Sequence, residues 1–196
     1  MRSDVIWFQE SNLRRPPEHA PNCLRVKQWS GNRGNMIELV FKPNLLDQPA
    51  VQALVHRHLT HAVAKTAQES AHGLDLSGLQ SPDVRFWTLW AADALHAIGA
   101  WKQLSATEAE LKSMHVVEAV RRRGTGSLLL KHLIDDAQAA GIQTLYLQTG
   151  SGAFFAPAVA LYRRHGFAEC RPFSNYREDR NSIYMSRSCA SWVREN

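Results

Sequence analysis

The segment Val120-Arg121-Arg122-Arg123-Gly124-Thr125-Gly126-Ser127 constrains this chain more than any other. A strand-like apolar run, Leu111 to Val117, precedes it, and a helix-like run, Ser127 to Ala140, follows. A strand, a basic glycine loop and a helix start in that order form an anion site. The first N–H groups of a helix have no partner inside it, and the helix dipole adds partial positive charge there. Glycines let the backbone approach a phosphate closely, and arginines add charge.

Neither standard nucleotide motif fits. A P-loop requires Lys after its last glycine, and none follows Gly126. A dinucleotide fingerprint requires a third glycine where Leu129 stands. A basic turn ahead of an ordinary helix is the alternative to a phosphate site.

Composition narrows the class. The chain of 196 residues, 44% hydrophobic, suits one domain with a real core, with or without an appendage. No run of eighteen apolar residues is present, so no membrane span is expected. The start, Met1 to Trp7, is polar too soon for a signal-peptide apolar region, so no secretory signal is expected. Three dispersed cysteines, Cys23, Cys170 and Cys189, lack metal or disulfide spacing and fit a reducing cytoplasm. Of the net charge of +5, residues 1–35 carry +3, leaving +2 for the remainder. That near-neutral body argues against a nucleic-acid partner.

Residues 1–35 read as an extension, flexible or peripherally packed, because Arg14-Arg15-Pro16-Pro17 and Gly31-Asn32-Arg33-Gly34-Asn35 oppose regular structure. Met36 ahead of a clean strand suggests itself as an alternative start. Residues 36–188 form the expected domain, and 189–196 a tail. Ile37 to Phe41 alternates as a strand. Asp47 and Pro49 open a helix whose Val51, Val55, Leu59, Ala62 and Val63 share one face. His58 lies near that face. With His61 it forms an i, i+3 pair, but no third ligand is nearby, so no metal is expected.

Leu74 to Leu79 is a short helix, and Asp83 to Ala91 and Leu95 to Leu104 make a hairpin turning at Ala92-Asp93. Strand Thr107 to Val117 then places Glu110, Lys112 and Met114 on one face and Leu111, Ser113 and His115 on the other. The helix after the glycine loop buries Leu129, Leu130, Leu133, Ile134 and Ala137, with Lys131, Asp135, Asp136 and Gln138 mostly outward. A strand at Thr144 to Gln148, a helix near Pro157 to His165, and strands at Phe167 to Pro172 and Ser182 to Ser186 complete the chain.

Arg121-x-x-Gly124-x-Gly126 resembles the R/Q-x-x-G-x-G/A loop of the GCN5-related N-acetyltransferase (GNAT) superfamily. The run Ala158 to Phe167, with Leu161-Tyr162 and Gly166-Phe167, resembles its second signature, at the right separation. The resemblance covers about residues 36 to 188. Gln148-Thr149-Gly150-Ser151, Phe154 to Ala158 and Tyr176-Arg177-Glu178-Asp179 further resemble a YsnE-like bacterial subgroup.

The resemblance implies a mixed α/β single-domain fold. Its sheet is mostly antiparallel, of six to seven strands, flanked by helices and split between the fourth and fifth. It implies direct transfer of an acetyl group from acetyl-coenzyme A (acetyl-CoA), the co-substrate, to an amine. Arg121, Arg122, Arg123, Gly124, Thr125, Gly126 and Ser127 then hold the pyrophosphate, Arg122 in preference to Arg123. Met114, His115, Val116 and Val117 run beside the pantetheine arm, where the backbone N–H near Val116 can polarise the carbonyl. Phe155 and Ala158 line the other side. Phe155 stands where the family often has Asn, which removes a polar contact.

Tyr162 is the candidate acid for the departing thiolate, a phenol of pKa near 10 being a reasonable donor. Glu110 is the candidate base, directly or through water. His58, His72, Tyr176 and Glu178 are candidates for the acceptor pocket. A small-molecule amine is the expected acceptor; a protein or peptide acceptor, or a non-catalytic acyl-CoA sensor, stays open. Dimers are common in the family, which admits a homodimer here.

Overall fold

The computed structural model describes residues 23–29, 36–65 and 74–189. One eight-stranded sheet organises them: β1 (Leu24–Trp29), β2 (Met36–Pro43), β3 (Val84–Ala91), β4 (Ala94–Gln103), β5 (Glu108–Val116), β6 (Thr144–Gly150), β7 (Ala168–Glu169) and β8 (Ser182–Ser188), in the order β1-β2-β3-β4-β5-β6-β8-β7. Helices α1 (Pro49–Lys65) and α2 (Leu76–Leu79) join β2 to β3. Helix α3 (Thr125–Ala139) joins β5 to β6, and α4 (Ala156–Arg164) joins β6 to β7. The mixed, mostly antiparallel sheet flanked by helices is the architecture expected, with one strand more. The addition is β1, which pairs antiparallel with β2 at the sheet edge and buries Val26. Its six residues alternate too weakly to stand out beside the prolines and glycines around them. The rest of the 1–35 extension and the tail from 190 onward lie outside the described residues. Cys189 is buried and donates its N–H to Gln143 O.

Every neighbouring pair of strands is antiparallel except β5 and β6. Their parallel ladder lasts for three residues, Glu108 to Glu110 against Thr144 to Tyr146. Beyond it the strands part, which is the expected split. A bulge accompanies the parting. Ala100 pairs with Lys112, yet Ile98 pairs with His115, so Ser113 and Met114 together oppose Gly99. Ser113 takes a left-handed φ of 53° there. Two residues against one bend a strand and invert its alternation. Ala109, Leu111, Met114 and Val116 therefore pack toward α3, while Glu110, Lys112 and His115 turn toward α1. This corrects the simple alternation read from the sequence, which had put Met114 with Glu110 and His115 with Leu111. A bulge leaves no mark in hydrophobic periodicity.

Each face of the sheet carries a core. On one, α3 buries Leu129, Leu130, Leu133, Ile134 and Ala137 against Leu39, Phe41, Leu89 and Ala97. On the other, α1 packs Val51, Leu54 and Val55 against Phe86, Trp90 and Ile98. Helix α1 opens with Pro49 in its first turn, where a missing N–H costs nothing. The Gln48 carbonyl accepts from the Val51 and Gln52 N–H groups. Asp136 was expected to point mostly outward. It points in instead, accepting from the indole N–H of Trp101 at 2.8 Å and of Trp87 at 3.0 Å. Two buried indole donors require an acceptor, and a carboxylate one turn after His132 reaches both. Arg85 closes over it at 3.3 Å. No helix among the described residues is long and apolar enough to cross a membrane.

His132 stacks on Phe41 at 3.9 Å and meets the edge of Trp87 at 4.3 Å. Burial pushes its imidazole down to about 4 from 6.5. Between those values the unfolded chain binds a proton that the folded chain does not. The stability this neutral ring contributes is therefore complete above pH 6.5 and lost as pH falls toward 4. The expected loss is at most about 3 kcal/mol. It would appear as a falling urea midpoint between pH 7 and 4, and His132→Phe should remove that part of the acid dependence.

Candidate active site

Where β5 and β6 part, a cleft of about 820 Å³ opens. Its walls are β5 and the following loop on one side, and the end of β6 with the start of α4 on the other. A shallower depression of about 990 Å³ lies elsewhere, lined by Leu79, Arg85, Trp87 and Asp136; none of the loop residues reaches it.

The loop begins with a single 3-10 turn, Glu118–Val120. Arg122 (φ 59°) and Gly124 (φ 85°) then adopt left-handed conformations on either side of Arg123. Gly124 caps α3, and its carbonyl receives the first helical bond, from Leu128 N–H at 3.0 Å. The N–H groups of Thr125, Gly126 and Ser127 therefore have no acceptor within the helix. Arg121 folds back on the strand it follows. Its Nε donates to Val116 O at 3.0 Å, and Nη2 lies 3.3 Å from His115 Nε2. A guanidinium only donates, so His115 Nε2 is the acceptor of this contact. Ser127 Oγ lies 2.5 Å from His165 Nε2 at the end of α4, tying the two helices together.

Phe154 and Phe155 form the opposite lip, edge to face at 5.1 Å. Gly150 makes room for them: a Cβ there would run into the Phe155 ring. Ala158, Leu161, Tyr162 and Arg164 continue the wall along α4. Tyr162 rests its ring edge on Phe167 at 5.9 Å. Its hydroxyl has no hydrogen-bond partner among the described residues, and burial pushes the phenol up to about 12.

The floor is polar. Glu110 Oε1 accepts from Tyr176 Oη at 2.7 Å and from Lys112 Nζ at 2.9 Å, while Lys112 Nζ also donates to Tyr176 Oη at 2.7 Å. The three groups close a triangle. The buried carboxylate thus has a compensating cation and a neutral donor, which is what a charge taken from water requires. Burial and the Glu110 charge push the Tyr176 phenol well above its ordinary range. Glu110 Oε2 has no protein donor among the described residues. Among those residues no three His, Cys, Asp or Glu side chains gather as a metal site would need.

The cleft brings together Glu110, Met114, His115, Val116, Arg121, Arg122, Gly124, Gly126, Ser127, Phe155, Ala158, Tyr162 and, from α1, His58. His58 meets His115 edge to face at 5.6 Å. Val117, Arg123 and Thr125 lie outside it. Val117 packs toward α1, and Thr125 is buried with its hydroxyl on Val120 O. Tyr176 stands behind Glu110 rather than in the cleft, Glu178 is exposed away from it, and His72 lies outside the described residues. Lys112, Gln148 and Phe154 were not nominated from sequence, although they line the cleft. Lys112 could have been found from its i, i+2 spacing to Glu110 on one strand.

The chain is 42% identical to the uncharacterised N-acetyltransferase YedL of Escherichia coli K12, over 74% of its own length and 92% of that protein. It is 39% identical to the uncharacterised N-acetyltransferase YsnE of Bacillus subtilis 168, over 70% and 91%. A Klebsiella pneumoniae structure described as an acyl-CoA N-acyltransferase shares the fold, with a TM-score of 0.65 at 24% identity, covering 78% of this chain and 98% of that one. The acetyltransferase (GNAT) family model matches residues 50–167, from the first turn of α1 to the phenylalanine beneath Tyr162, and the chain belongs to that family of acetyltransferases.

Proposed function

We propose that the chain moves the acetyl group of acetyl-CoA directly to the amine of a small-molecule acceptor. The observation that carries this reading is the cleft itself. Helix-start N–H groups and two arginines stand at one end, a phenol without a hydrogen-bond partner among the described residues lies along the wall, and a compensated carboxylate lies on the floor. The volume suits a pantetheine arm and a small acceptor. Gly124, Gly126, Ser127, Arg121 and Arg122 fit a diphosphate, since helix N-terminus, nest and charge converge there. The coenzyme supplies an activated acetyl thioester; the remaining chemistry belongs to the chain.

Acyl transfer to an amine needs a lone pair on nitrogen, so a proton must leave it. Glu110 is the base, through Oε2, to which no described residue donates, directly or by way of a water. Lys112 and Tyr176 hold its other oxygen and so orient the carboxylate. Tyr162 donates its phenolic proton to the departing sulfur. Phe154 and Phe155 keep that end of the cleft apolar, where charge–dipole interactions are strong. In this reading His58 faces the acceptor, with its ring against His115 beside the coenzyme arm. The same reading places the protein in the cytoplasm, supported by three free cysteines.

Calorimetric titration with acetyl-CoA should give micromolar affinity, with ATP and NAD giving none; absence of acetyl-CoA binding would overturn the reading. Release of free thiol in an amine panel then identifies the acceptor. Turnover with a peptide N-terminus but no small amine would favour the protein-acceptor alternative, and binding without turnover across the panel would favour the sensor.

With the acceptor in hand, Tyr162→Phe should lower kcat by at least ten-fold while the acetyl-CoA affinity stays within about two-fold. Because the phenol ionises only near 12, it remains protonated through the usual assay range. The wild-type rate should therefore show no alkaline limb from Tyr162 below about pH 11. Unchanged turnover in Tyr162→Phe would remove it from the acid role. Glu110→Gln should cost about 100-fold in kcat with the coenzyme affinity held, read by the same thiol assay.

A further inference from the structure

Strand β1 lies at the far edge of the sheet and outside the matched family span of residues 50–167. It nevertheless reaches the glycine loop. Gln28 Nε2 donates to the backbone carbonyl of Arg123 at 2.6 Å, across 95 positions of sequence. Val26, two residues earlier and on the same face of the strand, is buried in the core under α3. The strand is thus anchored below the helix and holds the loop above it.

The bonded carbonyl stands between two left-handed residues, Arg122 and Gly124. For Arg122 that conformation is costly, and such residues persist where their surroundings over-determine them. The peptide joining Arg123 to Gly124 is planar and trans, so its C=O and N–H point opposite ways. Fixing the Arg123 carbonyl on Gln28 therefore aims the Gly124 N–H away from β1. Gly124 lines the cleft and Arg123 does not. Contact here is close as well: a Cβ at Gly124 would lie 2.9 Å from Gln28 Nε2.

We propose that Gln28 is a positioning residue for the coenzyme, holding the loop in the conformation that presents its N–H groups to the diphosphate. The edge strand is then a working part of the acyl-CoA site, and a chain beginning at Met36 would lack it. This rests on the reading of the loop as the diphosphate site.

The test compares the full-length protein with Gln28→Met, which keeps the reach and loses the donor, and Gln28→Glu, which keeps the shape and replaces the donor with acceptors. The position is partly exposed on an edge strand, and thermal melting verifies the fold of both variants. Two probes are titrated: acetyl-CoA, and S-acetylpantetheine, which has no diphosphate. The expected result is acetyl-CoA affinity lower by about five- to ten-fold in both variants, with S-acetylpantetheine within two-fold of wild type. Equal weakening of both probes would mean a general structural role and overturn the proposal. Wild-type affinity for acetyl-CoA in both variants would overturn it too, while leaving the loop reading intact. Failure of the wild-type protein to bind acetyl-CoA would remove the loop reading, and this proposal with it.

Discussion

The short parallel ladder between β5 and β6 is the constraint on which the rest depends. Three residue pairs hold the two strands together, and then the bulge at Ser113 and Met114 turns β5 aside. A continuous ladder would leave no cleft. It would also keep the original alternation of β5, with Met114 on the α1 face and His115 turned toward α3. Opening the sheet leaves the ends of both strands without their ladder partners. The chain uses that gap to seat polar groups, the loop residues and the start of α4, which a closed sheet would have to exclude.

The charge distribution follows from this opening. Cations and helix N–H groups gather at the loop, near solvent, where a bound anion would be partly screened. The carboxylate lies deep, where an unpaired charge would be costly. Lys112 and Tyr176 meet that cost by bonding one oxygen of Glu110 and leaving the other open. Tyr162 carries no charge and needs no such support. It stays protonated because its surroundings are apolar. Glu110 and Tyr162 thus occupy unlike environments within one cleft.

Helix α3 fixes the C-terminal end of the loop. Five apolar side chains bury it on one sheet face, and Asp136 pins it to two indoles of β3 and β4. Its first turn therefore stands at a fixed place relative to β5. Ser127 with His165, Arg121 with Val116, and Gln28 with Arg123 each tie the loop to a different element. An array of N–H groups binds an anion best when it is already ordered, and these three bonds restrain the loop.

Much of this was legible in the sequence. Period-2 and period-3.6 patterns located the other strands and the four helices, because burial of one face leaves a regular trace. The spacing Arg121-x-x-Gly124-x-Gly126, with Leu161-Tyr162 and Gly166-Phe167 downstream, pointed to the loop, the wall and the family. Glu110, Tyr162 and most of the loop residues do line one cleft. Tertiary structure decided the remainder. The bulge reversed the faces of Met114 and His115, since one added residue changes direction without changing composition. Tyr176 reaches Glu110 and Lys112 from 66 and 64 residues away, and only the fold brings it there. Val117, Arg123 and Thr125 fell outside the cleft although their neighbours line it, because a tight loop cannot aim every side chain the same way. Local sequence determined which elements form and what chemistry they carry. Only the packing of distant segments decided which of those groups meet, because a hydrogen bond across the fold depends on the path of the chain between its partners.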